Sequence, residues 1–118
     1  MAGYKITKKD EYYTYTAPGH SECKLCRLHD PADVDGGQLI NGLSYFLPSG
    51  GGTEMGKNPA ESIYYIIEGT MLFKAEDGTE TILNAGDSVH IASNYGKCVK
   101  NIGPTTAQML VILLPPAK

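Results

Sequence analysis

The sequence predicts an all-β domain built as a compact barrel or jelly roll. Short runs rich in β-branched and aromatic residues alternate with turn signals, and no stretch shows a convincing 3.6-residue apolar period. The 118 residues suit one domain, 1–118, without a linker, repeat or low-complexity segment. About eight to ten short antiparallel strands in such a chain leave room for little else.

The strands are predicted where apolar and β-branched runs stand between turn residues. Asp77-Gly78 supplies the positive-φ pair of a type I′ hairpin, so the runs on either side form a two-stranded unit. The run 109–114 is almost wholly apolar, which predicts a strand covered on both faces. The predicted strands are 11–16, about 22–28, 38–47, 62–67, 70–75, 79–83, 87–92, 97–101 and 107–114.

Composition and charge exclude several classes of protein. Hydrophobic residues make up 42% of the chain, charged residues 19%, and the net charge is −3, which excludes a disordered tail. Arg27 is the single arginine, so no nucleic-acid partner is expected. No apolar run approaches the length of a membrane span, and the first residues do not resemble a signal peptide. We expect a cytoplasmic protein without a membrane partner.

Two stretches of the chain follow the spacing of a known pair of motifs. The first runs from Gly50 to Gly69 and the second from Gly86 to Asn101. They resemble the two motifs of the cupin superfamily, G-x5-H-x-H-x3-E-x6-G and G-x5-P-x-G-x2-H-x3-N. The resemblance implies a double-stranded β-helix jelly-roll barrel with a ligand cavity inside, built as a core at 37–118 that carries an N-terminal arm at 1–36.

The positions that hold metal in the family carry other residues here. Gly56 and Asn58 stand where the first motif has its histidines, Ser62 replaces the glutamate, and Lys97 replaces the histidine of the second motif. Glycine offers no ligand, Asn and Ser are weak neutral ligands, and an ammonium group repels a dication. We therefore expect neither a metal nor another cofactor. The alternative is a metal held by shifted ligands such as Glu54, His20 or His29.

The resemblance also implies which side chains face the cavity. Lys97 points an amine into the space that a metal would occupy, where partial desolvation would lower its pKa and make it a base, a Schiff-base nucleophile or an anion anchor. Glu54 is its expected partner carboxylate, and Tyr64 a phenolic donor. The alternative is a Lys97 side chain that leaves the barrel through its mouth. The remaining candidate ligand-binding residues are Tyr45, Asn58, Ser62 and Asn101.

Two main functions are compatible with this set of residues. In the first, the barrel binds a small polar molecule with a carbonyl or carboxylate, and Lys97 catalyses an isomerisation, dehydration or decarboxylation without a metal. In the second, the protein is a binding or sensing module in which Lys97 anchors an anion without turnover. A third possibility is a cupin that binds a metal at a non-standard site.

The segment 20–29 contains a cysteine and histidine cluster that invites a zinc interpretation. Cys23 and Cys26 would lie about 10 Å apart on opposite faces of a strand, too far for one metal or a disulfide. We therefore expect two thiols in a wall strand, and Cys98 makes the count odd, which indicates a reducing compartment. His90 is expected on the surface or at a subunit interface.

Tyrosines at 12, 13 and 15 mark the first strand. In cupins that are similar to this chain, an N-terminal strand often covers or swaps onto a neighbour, and tyrosines suit such an interface because each ring buries area and keeps a polar end. We therefore expect a homodimer. The alternative is a plain edge strand.

Overall fold

Two antiparallel sheets face each other in the computed structural model of the protein, which describes residues 3–116. Every paired strand runs antiparallel to its neighbour. A short 3-10 helix spans Pro31–Asp33. The strands are β1 (Tyr13–Tyr15), β2 (His20–Ser21), β3 (Cys23–His29), β4 (Ile40–Phe46), β5 (Gly52–Thr53), β6 (Glu61–Glu68), β7 (Thr70–Ala75), β8 (Glu80–Asn84), β9 (Ser88–Ile91), β10 (Lys97–Asn101) and β11 (Ala107–Leu114).

The topology confirms the predicted all-β jelly roll. One sheet has six strands in the order β1-β3-β4-β11-β6-β9, and the other has five in the order β2-β5-β10-β7-β8. All nine predicted runs contain an observed strand. The sequence pattern missed β2 and β5, since each has only two residues and carries no periodic signal.

The core lies between the two sheets because alternate residues of each strand point inward. Its buried side chains include Phe46, Ile66, Met71, Val99 and Met109. The predicted coverage of β11 on both faces holds only in part. Its inner residues are buried, whereas the outward residues are half-buried and Leu114 is 36% exposed. Within residues 3–116 no third layer covers the outer face of the six-stranded sheet.

Two turn positions explain residues of the spacing pattern. Gly69 joins β6 to β7 at φ +90°, and a Cβ there would lie 2.8 Å from the Ala107 Cα, so both conformation and close packing require glycine. Asn94 has φ +61° at a position where the second motif has glycine. Asparagine tolerates this left-handed region better than most residues, so the turn survives the substitution.

Gly52→Ala is expected to destabilise the protein by about 3 kcal/mol. The new Cβ would fall on the backbone carbonyl of Val99, which cannot retreat without disturbing the pairing of β5 with β10. Urea unfolding of both variants checks this, with Gly56→Ala as the matched control. The heavy atom nearest to a Cβ added at Gly56 would be the Glu54 carbonyl oxygen, at an ordinary contact distance of 3.9 Å. Equal midpoints for the two variants would contradict the close approach.

The N-terminal part of the chain spans both sheets. β1 pairs with β3 as the edge strand of the six-stranded sheet, and β2 pairs with β5 in the other sheet. The segment 16–19 therefore crosses from one sheet to the other. The plain edge strand is the arrangement seen within this chain, and the homodimer stays a prediction that sedimentation equilibrium would check. No helix in the described residues is long and apolar enough to cross a membrane.

Candidate functional site

A cavity of about 410 Å³ opens between the sheets. Its apolar wall comes from inward residues of β4, β10 and β11, among them Phe46, Val99 and Met109. Its polar groups come from both sheets and from the crossing segment 16–19. The principal polar side chains are Lys97, Arg27, Glu54, Tyr15 and Tyr64. An apolar space with a few convergent polar groups is the usual form of a small-molecule site.

Lys97 begins β10 and points into this cavity, as predicted for its side of the strand. Its backbone N–H donates to the Gly56 carbonyl at 3.0 Å, and the Gly56 N–H donates back at 3.1 Å. The residue is only 8% exposed, so its side chain does not leave through the mouth. Within residues 3–116 Lys97 forms no salt bridge. Burial without an opposite charge lowers the pKa of the Lys97 amine.

Tyr64 lies beside Lys97 on the cavity wall. The Lys97 Nζ is 6.0 Å from the centre of the Tyr64 ring, the outer limit of a cation–π contact. Burial raises the pKa of Tyr64 to about 12. The phenol is therefore neutral near neutral pH, and it serves as a hydrogen-bond donor or acceptor rather than as a charged nucleophile.

Glu54 lines the same cavity from the end of β5. Its backbone N–H donates to the Gly19 carbonyl at 2.7 Å, which joins it to the crossing segment. The predicted ion pair between Glu54 and Lys97 is not formed in the structure. The cavity therefore holds an acidic and a basic group that do not neutralise each other directly.

Two predicted ligand-binding residues, Tyr45 and Ser62, lie outside the cavity lining. Tyr45 occupies the outward position between two inward residues of β4, and its hydroxyl accepts a hydrogen bond from Gln108 Nε2 at 3.1 Å. Ser62 faces inward but is buried, and its Oγ donates to the Ala60 carbonyl at 3.3 Å. Strand alternation explains the first correction, and a local backbone acceptor explains the second.

Asn101 is also absent from the lining, because its side chain holds the protein backbone together. It is 1% exposed, and its Nδ2 donates to the carbonyls of Phe46 at 2.8 Å and Thr105 at 2.9 Å. Its Oδ1 accepts from the Gly103 N–H at 2.8 Å. The predicted ligand-binding role is therefore replaced by a structural one.

Asn58 reaches the cavity as predicted, but its oxygen is engaged. The Oδ1 accepts the Ala60 N–H at 2.9 Å in a local turn. The Nδ2 is thus the group of this side chain with which a ligand would form a hydrogen bond.

The sequence reasoning missed four polar residues of the lining: Arg27, Tyr15, His20 and Lys57. Alternation along β3 already placed Arg27 on the same face as Cys23 and Leu25. Only the pairing of β3 with β4 shows that this face is the inner one. Tyr15 and His20 enter through the crossing segment, whose path no local pattern specifies.

The residues at the family's metal positions do not fit a metal. Gly56 has no side chain, the Asn58 oxygen is engaged, and Ser62 donates its hydroxyl to a carbonyl. Lys97 contributes an ammonium, which repels a cation. Since this donor set holds neither an imidazole nor a carboxylate, we derive no step through a metal at these positions.

The alternative metal ligands are not brought together. Glu54 and His20 line the cavity, but His29 lies elsewhere, with its Nδ1 3.0 Å from Asp33 Oδ2. Among the described residues, no group of three His, Cys, Asp or Glu side chains is placed to hold a metal ion.

The cysteine and histidine cluster forms wall strand β3. Cys23 packs against the buried core and Cys26 is buried on the opposite face; both thiols are free, as is that of Cys98. His90 lies on the surface of β9, with its Nε2 2.5 Å from Glu61 Oε2. None of these four side chains lines the cavity.

Known proteins with similar sequences and folds agree with this architecture. The protein named β-D-galactosidase Rv1717 from Mycobacterium tuberculosis is 30% identical over 112 residues, which is 95% of each chain. The polyketide cyclase RemF from Streptomyces resistomycificus has a TM-score of 0.78 at 18% identity, covering 96% of this chain and 80% of that one. A predicted oxalate decarboxylase from Thermotoga maritima has a TM-score of 0.80 at 19% identity, covering 95% and 100%.

The match to a family model is consistent with both the spacing and the fold. A model described as the cupin domain matches residues 43–113, from β4 to the end of β11. This range includes both spaced motifs and most of the cavity wall. The chain therefore belongs to the cupin family.

Proposed function

We propose that the protein binds a small polar molecule with a carbonyl or carboxylate group inside its barrel, without a metal. The observation that carries this proposal is the position of Lys97. Its amine is buried in the cavity wall and has no carboxylate partner within the described residues. Leaving a buried cation unpaired is costly, and an acidic or carbonyl oxygen of a ligand would supply the missing partner.

The surroundings of Lys97 suit such an oxygen. Tyr64 is neutral and offers a hydroxyl, and the Asn58 Nδ2 supplies a further donor on the same lining. The apolar wall formed by Val99 and Met109 would pack against the carbon skeleton of the ligand. This combination binds a molecule with one polar end and a short apolar body.

Acid–base catalysis is a second candidate function. The lowered pKa of Lys97 increases its neutral fraction near neutral pH, and a neutral amine accepts a proton from a carbon next to a carbonyl. Glu54 supplies a second titratable group on the lining. The names of three similar proteins are those of enzymes, which supports isomerisation, dehydration or decarboxylation as the type of reaction.

Hydrolysis of a galactoside, suggested by the name of the relative, fits this cavity less well. Glycosidases generally use two carboxyl groups, and Glu54 is the one acidic residue among the described residues of the lining. The pKa of about 12 at Tyr64 disfavours a phenolate as the nucleophile. A galactoside therefore belongs in the test as a competing outcome.

A ligand panel tests the proposal. Thermal denaturation is followed with 2-oxo acids, hydroxy acids, simple carboxylates and neutral sugars that include a galactoside, and NMR of the same mixtures detects turnover. We expect acids to raise the melting temperature of the wild type and not that of Lys97→Met. Stabilisation by neutral sugars alone would overturn the proposal. A stoichiometric metal in elemental analysis of the purified protein would overturn the metal-free site.

A further inference from the structure

Arg27, on the inner face of β3, is a second cation of the cavity. Its side chain is 20% exposed, and its guanidinium carbon lies 4.8 Å from the centre of the Tyr15 ring. Its Nη1 donates to Asp30 Oδ1 at 2.8 Å. Arg27 is thus held by a ring on one face and a carboxylate at one edge.

The carboxylate that orients Arg27 lies outside the cavity. Asp30 is not part of the lining, and its other oxygen accepts the Tyr13 hydroxyl at 3.0 Å. A guanidinium has five N–H donors, and the bond to Asp30 uses one of them. An arginine whose plane is fixed while donors remain is suited to bidentate binding of a second carboxylate.

The register of the sheet links Arg27 to the Lys97 end of the cavity. Arg27 pairs with Gly42, Gly42 with Val111, and Val111 with Tyr64. Three strand spacings separate the backbones of Arg27 and Tyr64, about 14 Å. Between them lie a glycine and a valine, so no large side chain of this row fills the space. The two long cationic side chains narrow the gap to one that a short carbon chain spans.

We propose that Arg27 is a second anion-binding residue and that the ligand is a short dicarboxylic acid, or its oxo or hydroxy derivative. One carboxylate binds Arg27, and a carboxylate or carbonyl at the other end binds Lys97. This assignment rests on the proposed function, since it takes the Lys97 end as given. It defines the ligand further, because a monocarboxylic acid engages only one of the two cations.

Calorimetric titration with matched acids tests the second anchor. Glutarate and 2-oxoglutarate are the two-ended probes, and butyrate and 2-oxobutyrate are their one-ended counterparts. We expect the wild type to bind the two-ended acids at least about tenfold more tightly, as one bidentate charge-assisted pair predicts. Arg27→Met should remove that difference and Arg27→Lys should restore part of it. Lys24→Met, on the outer face of the same strand, should change neither affinity.

A direct signal is available because the chain has a single arginine. Protein labelled with ¹⁵N-arginine gives one side-chain Nε–H resonance, which glutarate should shift and butyrate should not. Equal affinities for both kinds of acid with an unmoved resonance would overturn the second anchor and leave the Lys97 site intact. If Lys97→Met leaves binding of every acid unchanged, or no acid binds the wild type, the proposed function itself fails.

Discussion

Lys97→Met is expected to weaken binding of an acidic ligand about 100-fold and to raise the free energy of unfolding in the absence of ligand. The loss of affinity follows from removal of a buried charge-assisted contact. The gain in stability follows because methionine fills similar space without an unpaired charge to desolvate. Calorimetric titration and urea unfolding measure the two effects on the same protein.

The pH dependence of unfolding gives Lys97 a further signature. Burial lowers the pKa of this amine in the folded protein from its ordinary value of 10.5, so between the two values the unfolded chain binds more protons than the folded one. The Lys97 contribution to stability therefore rises with pH across that interval, and the full penalty is present below the folded pKa. Lys97→Met should lack this rise.

The matched control is Lys100→Met, on the same strand. Lys100 is exposed on the outer face of β10, so its loss should leave both the affinity and the pH dependence as in the wild type. Equal effects of the two substitutions would mean that net charge, rather than the buried amine, governs both measurements.

Asn101→Ala is expected to destabilise the protein by about 3 kcal/mol or more. The substitution removes hydrogen bonds to the carbonyls of Phe46 and Thr105 and to the Gly103 N–H, at a site that is 1% exposed. Buried backbone groups left without partners cost about 1–3 kcal/mol each, and partial relaxation reduces the sum. Urea unfolding without ligand measures the effect.

Two further variants separate this structural role from ligand binding. Asn101→Asp keeps an acceptor for Gly103 but loses both N–H donors, so it should also be destabilised. Asn84→Ala, at an exposed asparagine that accepts from the Thr70 hydroxyl, should cost less than about 1 kcal/mol. An Asn101→Ala protein of normal stability that fails to bind acids would instead restore Asn101 to the ligand site.

The fold was predictable because the strand signals are local and repeated. Apolar and β-branched runs alternate with turn residues, and Asp77-Gly78 marks the hairpin that joins β7 to β8. The two motif spacings carry the same information at longer range, since turns such as the one at Gly69 need a particular backbone conformation. The two-residue strands β2 and β5 were beyond this reasoning.

The candidate site was predictable only where a motif position specified it. Lys97 and Tyr64 lie in the cavity because each stands on the inward side of a strand whose register the spacing defines. Asn101 shares the inward side of β10 with Lys97, yet it binds backbone instead of lining the cavity. Periodicity distinguishes the two faces of a strand, but it does not show what an inward side chain meets.

The sequence by itself determined the all-β architecture, the inward position of Lys97 and the replacement of the family's metal ligands. Each of these depends on residues close together in the chain or at fixed spacing. The tertiary structure alone decided that Glu54 and Lys97 remain unpaired and that Arg27 joins the cavity. Both depend on pairing between distant strands, with Arg27 opposite Gly42 and Lys97 opposite Ala75. Such pairing is set by packing of the whole barrel, which no local pattern encodes.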